Sequence, residues 1–546
     1  MESIQTINGI MFAKMVQAGC NNLRFHAQTV NNLNVFPIPD GDTGSNMLLT
    51  IMGGADAAGK GVESLGETSR RISDGMLLAA RGNSGVILSQ IFEGIADGFD
   101  GKDTADNQDM IAAFGKGVQH SYSAVMEPAE GTMLTVMRCA TEYVSDKAAA
   151  DIEMLLRDFL GEARQTLQKT PEMLPVLKKA GVVDSGGAGL VCILEGMLGA
   201  LTGEESVSEL QPMQTEEPDY DLNLFTEDSV LEYGYCTELL LRLQRCKTDP
   251  ESFEVGALTE YLKGIGDSVV AFKTGSIVKI HIHTMTPDKV LAYCQKYGEF
   301  LKVKIENMSL QHNNTTTEGI QVSVKPQGER KAYGVVAVAS GDGIKQLFSE
   351  RGADVIVDGG QSMNPSAEAF LEAYRQVNAD TVFVLPNNGN IILTAKQAAG
   401  MYQEADVRVL DSRTIGDGYA ALSMLSFESG NTDQIEAELT EAMQGVVTAE
   451  ISKSVRDTEG VRAGEYIGFV GKEILVAKET RYDAVCETIK RISENEFEIC
   501  ILIRGKDADE AEAENVERHI LAQYPGKEVY VIDGMQDIYD YILILE

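Results

Sequence analysis

Apolar positions in the first two hundred residues recur at three-and-four spacing. "GMLLAARGNSGVILSQIFEGIADGF" (75–99) and "DIEMLLRDFLGEARQTLQ" (151–168) carry that period, with glycine clusters between such stretches and almost no alternating runs. This predicts an all-α domain over 1–203, with functional loops at helix ends. Residues 204–229 are acidic and polar with two prolines, the composition of a solvated linker. The pattern then changes. "YGYCTELLLRLQ" reads as a strand, "ESFEVGALTEYLKGIG" as a helix and "SVVAFKTGSIVKIHIHT" as two strands about a Thr-Gly turn. "PDKVLAYCQKYG" and "LKVKIENM" follow as a helix and a strand. The β-α-β-β-α-β order over 230–312 is that of a small ferredoxin-like α/β domain. A second polar linker, 313–331, leads to a C-terminal α/β domain over 332–546. There "GVVAVAS", "ADVIVDGG", "ADTVFVLPNN" and "ADVRVLDS" alternate with helical patterns, which predicts parallel βαβ units.

Composition narrows the function classes. With 83 acids against 46 bases, a net charge of −37 argues against non-specific nucleic-acid or anionic-membrane binding. The eight cysteines are scattered without CxxC pairs, and the N-terminus has no signal-peptide pattern. Reduced thiols and a cytoplasmic location are expected. The longest apolar runs, such as "VVAVA" at 335–339, are strand-length, so no integral membrane segment is expected.

The richest local chemistry is "NVFPIPDGDTGSNM" at 34–47. Its residues are turn formers, and a solvated turn is the simplest reading. An EF-hand fails, because its glycine slot holds Ser45 and its terminal acid slot Ile51. The nearby "GADAAGKG" (54–61) is a poor Walker A: it ends in Gly61 and follows a helical stretch rather than a strand. A magnesium–nucleotide loop suits the residues better. Asp40 and Asp42, with Asn34 as a third oxygen donor, could supply the few protein oxygens Mg²⁺ takes beside phosphate and water. "SNMLLTIM" then opens a helix whose free N–H groups face the same anion.

Three more small-residue turns precede helical runs: "ARGNSGVILSQ" (80–90), "EGTMLTVMR" (130–138) and "VVDSGGAGL" (182–190). Each alone reads as a cap; together in one helical domain they suggest a phosphate site. Separately, "VKIHIHT" sets His281 and His283 two apart on one strand face, where Cys236 joins them if its strand pairs in the same sheet. That trio is either a solvated pair beside a thiol or a Zn²⁺ set with its fourth position open.

The order N-x5-DGDTG, RGNSG, GTML and DSGGAG resembles the nucleotide-binding domain of the dihydroxyacetone kinase family, a helical barrel holding ADP through magnesium. The whole chain, with "HIHT", "IENMSLQH", "GGQSMNPS", "LPNNGNI" and "GEYIG", is more similar to the catalytic component of bacterial fatty acid kinases. The resemblance implies ATP and Mg²⁺ as cofactors, with Asn34, Asp40 and Asp42 on the metal. Asn34 stands where the sugar kinases carry a third aspartate, and Thr43 where they carry histidine, which makes a triose substrate less apt. It implies catalytic roles for Asp40, Asp42, Thr43 and Arg81. Asn46, Gly82, Asn83, Ser84, Gly85, Thr132, Met133, Asp184, Ser185, Gly186 and Gly187 would hold the nucleotide. It favours zinc on Cys236, His281 and His283. It also implies a DegV-like C-terminal domain that docks a separate fatty-acid-binding carrier, with homodimerisation left open. The expected reaction is phosphorylation of a carrier-bound fatty acid's carboxylate. A small polyol kinase and a nucleotide-responsive scaffold are the alternatives.

Overall fold

The computed structural model describes residues 4–34, 41–203, 235–307 and 330–546, apart from 246, 249–252, 254, 275–276, 361–363, 459 and 494–496. Asp40, the linker 204–229 and most of the linker 313–331 lie outside the described residues. The chain divides into two compact units: residues 1–214 together with 325–546, and residues 215–324.

The N-terminal part of the first unit is helical: α1 (Gly9–Asn31), α2 (Thr43–Ala58), α3 (Leu65–Ala79), α4 (Gly82–Phe99), α5 (Asn107–Ser123), α6 (Met133–Ser145), α7 (Ile152–Met173), α8 (Pro175–Ala180) and α9 (Ser185–Thr202). Among its described residues the strands are two-residue pieces, β1 (Ile7–Asn8) paired with β2 (Thr104–Ala105). Helix α1 buries Phe12, Val16 and Leu23 on one stripe, as its period requires. It packs on α9 backbone to backbone. A Cβ at Gly196 would lie 2.4 Å from the Ala18 carbonyl, and one at Gly19 would lie 2.9 Å from that of Ile193. Only glycine allows that approach.

The turn expected within 80–90 is present: Arg81 is extended, and Gly82 begins α4 at φ +57. Helix α9 is long and apolar enough to cross a membrane, but it is mostly buried in this helical core. Its one acid, Glu195, is buried and bonded by Arg164 of α7 at 2.7 Å. "GADAAGKG" forms the end of α2 and its cap, not a strand-to-helix loop.

In the second unit β3 (Tyr235–Leu243), α10 (Val255–Lys263), β4 (Asp267–Thr274), β5 (Ile277–Thr284), α11 (Pro287–Cys294) and β6 (Gly298–Asn307) follow in order. Their antiparallel sheet runs β4-β5-β3-β6, and Leu239, Leu241, Ile280 and Ile282 face the helix residues Leu258 and Leu262 in its core. The register sets Cys236 opposite His283 and Glu238 opposite His281. The side chains of Cys236, His281 and His283, on which the zinc expectation rests, lie outside the described residues.

The C-terminal part opens with β7 (Lys331–Ala339), α12 (Asp342–Glu350), β8 (Val355–Asp358), α13 (Ala367–Val377), β9 (Ala379–Leu385), α14 (Ile392–Met401) and β10 (Asp406–Val409). These strands form a parallel sheet, β10-β9-β7-β8. Helices α15 (Ile415–Ser423) and α16 (Thr432–Gln444) lead into β11 (Val447–Lys453), β12 (Tyr466–Val470) and β13 (Glu473–Lys478). Then come α17 (Arg481–Ile492), β14 (Ile499–Arg504), α18 (Glu510–Gln523), β15 (Glu528–Asp533) and β16 (Tyr541–Leu545). The second sheet, β13-β12-β11-β16-β14-β15, is antiparallel except between β14 and β15. A two-residue turn with Gly471 at φ +58 makes β12 and β13 a hairpin, and β16 returns between β11 and β14.

Glu450 on β11 is buried beside a small cavity lined by Ser340, Asn387, Asn388 and Gln536. Burial, helped by the nearby Asp417 carboxylate, pushes its carboxyl up from 4.5 to about 8. Between those values the folded chain keeps a proton that the unfolded chain releases. Stability therefore falls as pH rises across that window, on the order of 1 kcal/mol per pH unit at most. Glu450→Gln should remove this component: its melting temperature should match the wild type near pH 5 and exceed it near pH 8.

Candidate functional site

Helices α2, α4, α6 and α9 start at Asp42, Arg81, Thr132 and Asp184, the four turns singled out in the sequence. Hydrogen bonds and close contacts join these starts. Thr43 and Ser185 hydroxyls both donate to the Asn34 carboxamide oxygen, at 3.0 and 3.3 Å, and Ser185 also reaches Thr43 Oγ1 at 3.3 Å. Asp184 accepts from the Gly187 N–H at 2.7 Å and from the Met133 N–H, tying the start of α9 to that of α6. Asn46, which bonds Asp42, packs so closely on α4 that a Cβ at Gly82 would lie 2.7 Å from its Nδ2. Helix starts carry unpaired N–H groups and the positive end of the helix dipole, so this cleft favours an anion.

Asp42 occupies the N-cap position of α2 but makes no capping bond. Asn31, from the end of α1, does that work. Its oxygen accepts from the N–H groups of Gly44 and Ser45 at 2.7 and 3.1 Å. The Asp42 carboxylate is thereby left to the cleft. Burial pushes it up to about 6, against the lowering effect of amide donors from Asn46 and Asn364. Asp184 is likewise pushed up to about 6 by burial, opposed by its two backbone donors. Two acids shifted by desolvation in one cleft mark a candidate functional site.

The C-terminal part of the same unit reaches this cleft. Asn364 donates to Asp42 Oδ2. Arg81 pairs with Ser366 in an isolated bridge, its Nη1 donates to the Asn364 carbonyl at 3.5 Å, and the Ala367 N–H donates to the Ala80 carbonyl at 3.2 Å. Asn83 donates to Asn390 at 3.4 Å, and Gln397 to the Leu77 carbonyl at 2.6 Å. Arg456 donates to the Asn34 carbonyl.

Comparisons with known proteins agree along the chain. The FakA-like (fatty acid kinase) C-terminal family model matches residues 334–546, the FakA-like middle-domain model matches 232–315, and the DAK2 domain matches 37–199. Protein YloV of Bacillus subtilis is 38% identical over 558 aligned residues that span all of both chains. The chain belongs to the FakA-like fatty acid kinase family. An uncharacterized protein of Staphylococcus haemolyticus is 36% identical, again over the whole of both chains. Among solved structures, DegV, a fatty acid binding protein from Bacillus subtilis, is 14% identical with a TM-score of 0.31, covering 39% of this chain and 99% of that one. The Streptococcus pneumoniae Fatty Acid Kinase (Fak) B3 protein loaded with linoleic acid is 10% identical with a TM-score of 0.30, covering 40% and 99%.

For a FakA-like chain, the donor set at the cleft suits a magnesium-bound nucleotide. Asp42 offers carboxylate oxygens, and the α4 and α9 starts offer N–H groups. The Asn34 oxygen, expected on the metal, already accepts from two hydroxyls, which takes up both its lone pairs. The buried carboxamide oxygens of Asn83 and Asn364 have no protein partner, as groups that face a bound ligand or its waters would. Asp40 lies outside the described residues, and among those described no cluster of three or more acids, histidines and cysteines forms a metal site. Sequence reading misses Asn31, Asn364 and Arg456. Asn364 lies within "GGQSMNPS", a stretch that marks the family resemblance and reads as a tight turn, with no role for this residue.

Proposed function

We propose that the chain is the ATP-dependent kinase that phosphorylates the carboxylate of a fatty acid presented by a separate carrier protein, giving an acyl phosphate. The observation that carries this reading is the meeting of four helix starts around a half-buried Asp42 that makes no capping bond, in a chain of the FakA-like family. Phosphoryl transfer asks a protein for positioning and charge neutralisation more than for a nucleophile. The N–H groups at the starts of α4 and α9 receive phosphate oxygens. Asp42 and, by resemblance, Asp40 would hold Mg²⁺, which when bound would offset the charge of the phosphates. Arg81 adds a fixed cation in a chain whose net charge of −37 repels both substrates.

The acceptor carboxylate is ionised at neutral pH, so no general base is required. Its oxygen forms the bond to the γ-phosphorus as the bond to the β-phosphate oxygen breaks, and ADP leaves. Thr43 and Ser185 fix Asn34 by donating to it, and carry no proton in this scheme. With ATP and Mg²⁺, ADP should form rapidly when a fatty-acid-loaded carrier is added and no faster than background with dihydroxyacetone alone. Rapid turnover of dihydroxyacetone would replace this reading with a triose kinase. Absence of turnover with every acceptor would favour a nucleotide-responsive scaffold.

A further inference from the structure

We infer that Asn364, carried by the C-terminal part of the chain, is a positioning residue of the magnesium–nucleotide site; this rests on the proposed kinase reading. The residue is only 3% exposed, and its carboxamide donates through Nδ2 to Asp42 Oδ2. The same nitrogen would lie 3.1 Å from a Cβ on Gly82, so the group is wedged between the acid and the first residue of α4. Its backbone is held there independently, by the Arg81–Ser366 bridge and the bond from Ala367 N–H to the Ala80 carbonyl.

A residue serving only to join the two parts would satisfy both ends of its amide. Asn364 does not: its Oδ1 is buried without a partner. An unpaired buried acceptor works against stability unless a ligand or its water fills the position. An amide donating to one oxygen of a carboxylate leaves the other for a metal and fixes the plane of the group, which is how outer residues tune metal sites. The nucleotide site is thus completed across 322 residues of sequence, and the helical domain by itself lacks one of its parts.

The test is calorimetric titration of full-length protein with ADP, with and without Mg²⁺, for wild type, Asn364→Ala and Gln397→Ala. Gln397 joins the same two parts through the Leu77 carbonyl and stands as the control for a loosened contact. Asn364→Ala should weaken magnesium-dependent ADP binding about ten- to a hundredfold, leave magnesium-free binding unchanged, and lower kcat. Gln397→Ala should match the wild type in each. Equal losses in both variants, binding by Asn364→Ala equal to wild type, or faster turnover in Asn364→Ala would each overturn the inference. A wild type without magnesium-dependent ADP binding would overturn the kinase reading itself.

Discussion

Asp42→Asn is expected to lower ATP-dependent turnover by about a hundred- to a thousandfold, the scale of losing one preorganised electrostatic partner of a reacting group, with no loss of melting temperature. The substitution keeps the side chain's shape and removes its charge. Capping of α2 is untouched, because Asn31 supplies it. Burial already disfavours the charged form, holding Asp42 near 6, so neutralising it cannot destabilise the apo fold by desolvation. Loss of activity together with loss of folding would show that Asp42 is structural. Retained turnover would remove it from the metal site. Steady-state ADP release and a thermal melt on the same preparation separate these results.

Gly82→Ala should be the next most damaging change, through the backbone. At φ +57 an L side chain costs roughly 1–2 kcal/mol. In addition its Cβ would press on Asn46, which bonds Asp42, and on Asn364. Activity should fall by at least about tenfold, since misplacements on the order of 1 Å can cost a hundredfold. Gly59→Ala is the matched control: φ is +54, but nothing lies within 4 Å of its Cβ. It should lower the melting temperature by a similar few degrees and leave turnover intact. If both variants lose activity equally, the defect is loss of fold rather than crowding at the phosphate turn.

The four helix starts were legible because capping residues, glycines and the following apolar period are all local signals. Asp42, Arg81, Thr132 and Asp184 stand at helix starts as their turns suggest. What escaped is non-local. Asn31 caps a helix that begins twelve residues later, after a stretch lacking any periodic pattern. Asn364 arrives from the loop between β8 and α13, and no spacing along the chain brings 42 and 364 together. The pairing of the second sheet is equally unmarked, because the insertion of β16 between β11 and β14 leaves no local sign.

Whether this chain is a carboxylate kinase is decided by the identity of the phosphorylated product. Full-length protein, ATP, Mg²⁺ and a fatty-acid-loaded carrier are incubated with hydroxylamine, which converts an acyl phosphate to a fatty hydroxamate readable by mass spectrometry. One hydroxamate per ADP formed is expected, dependent on the carrier and lost in Asp42→Asn. ADP formation without hydroxamate would contradict the proposed reaction.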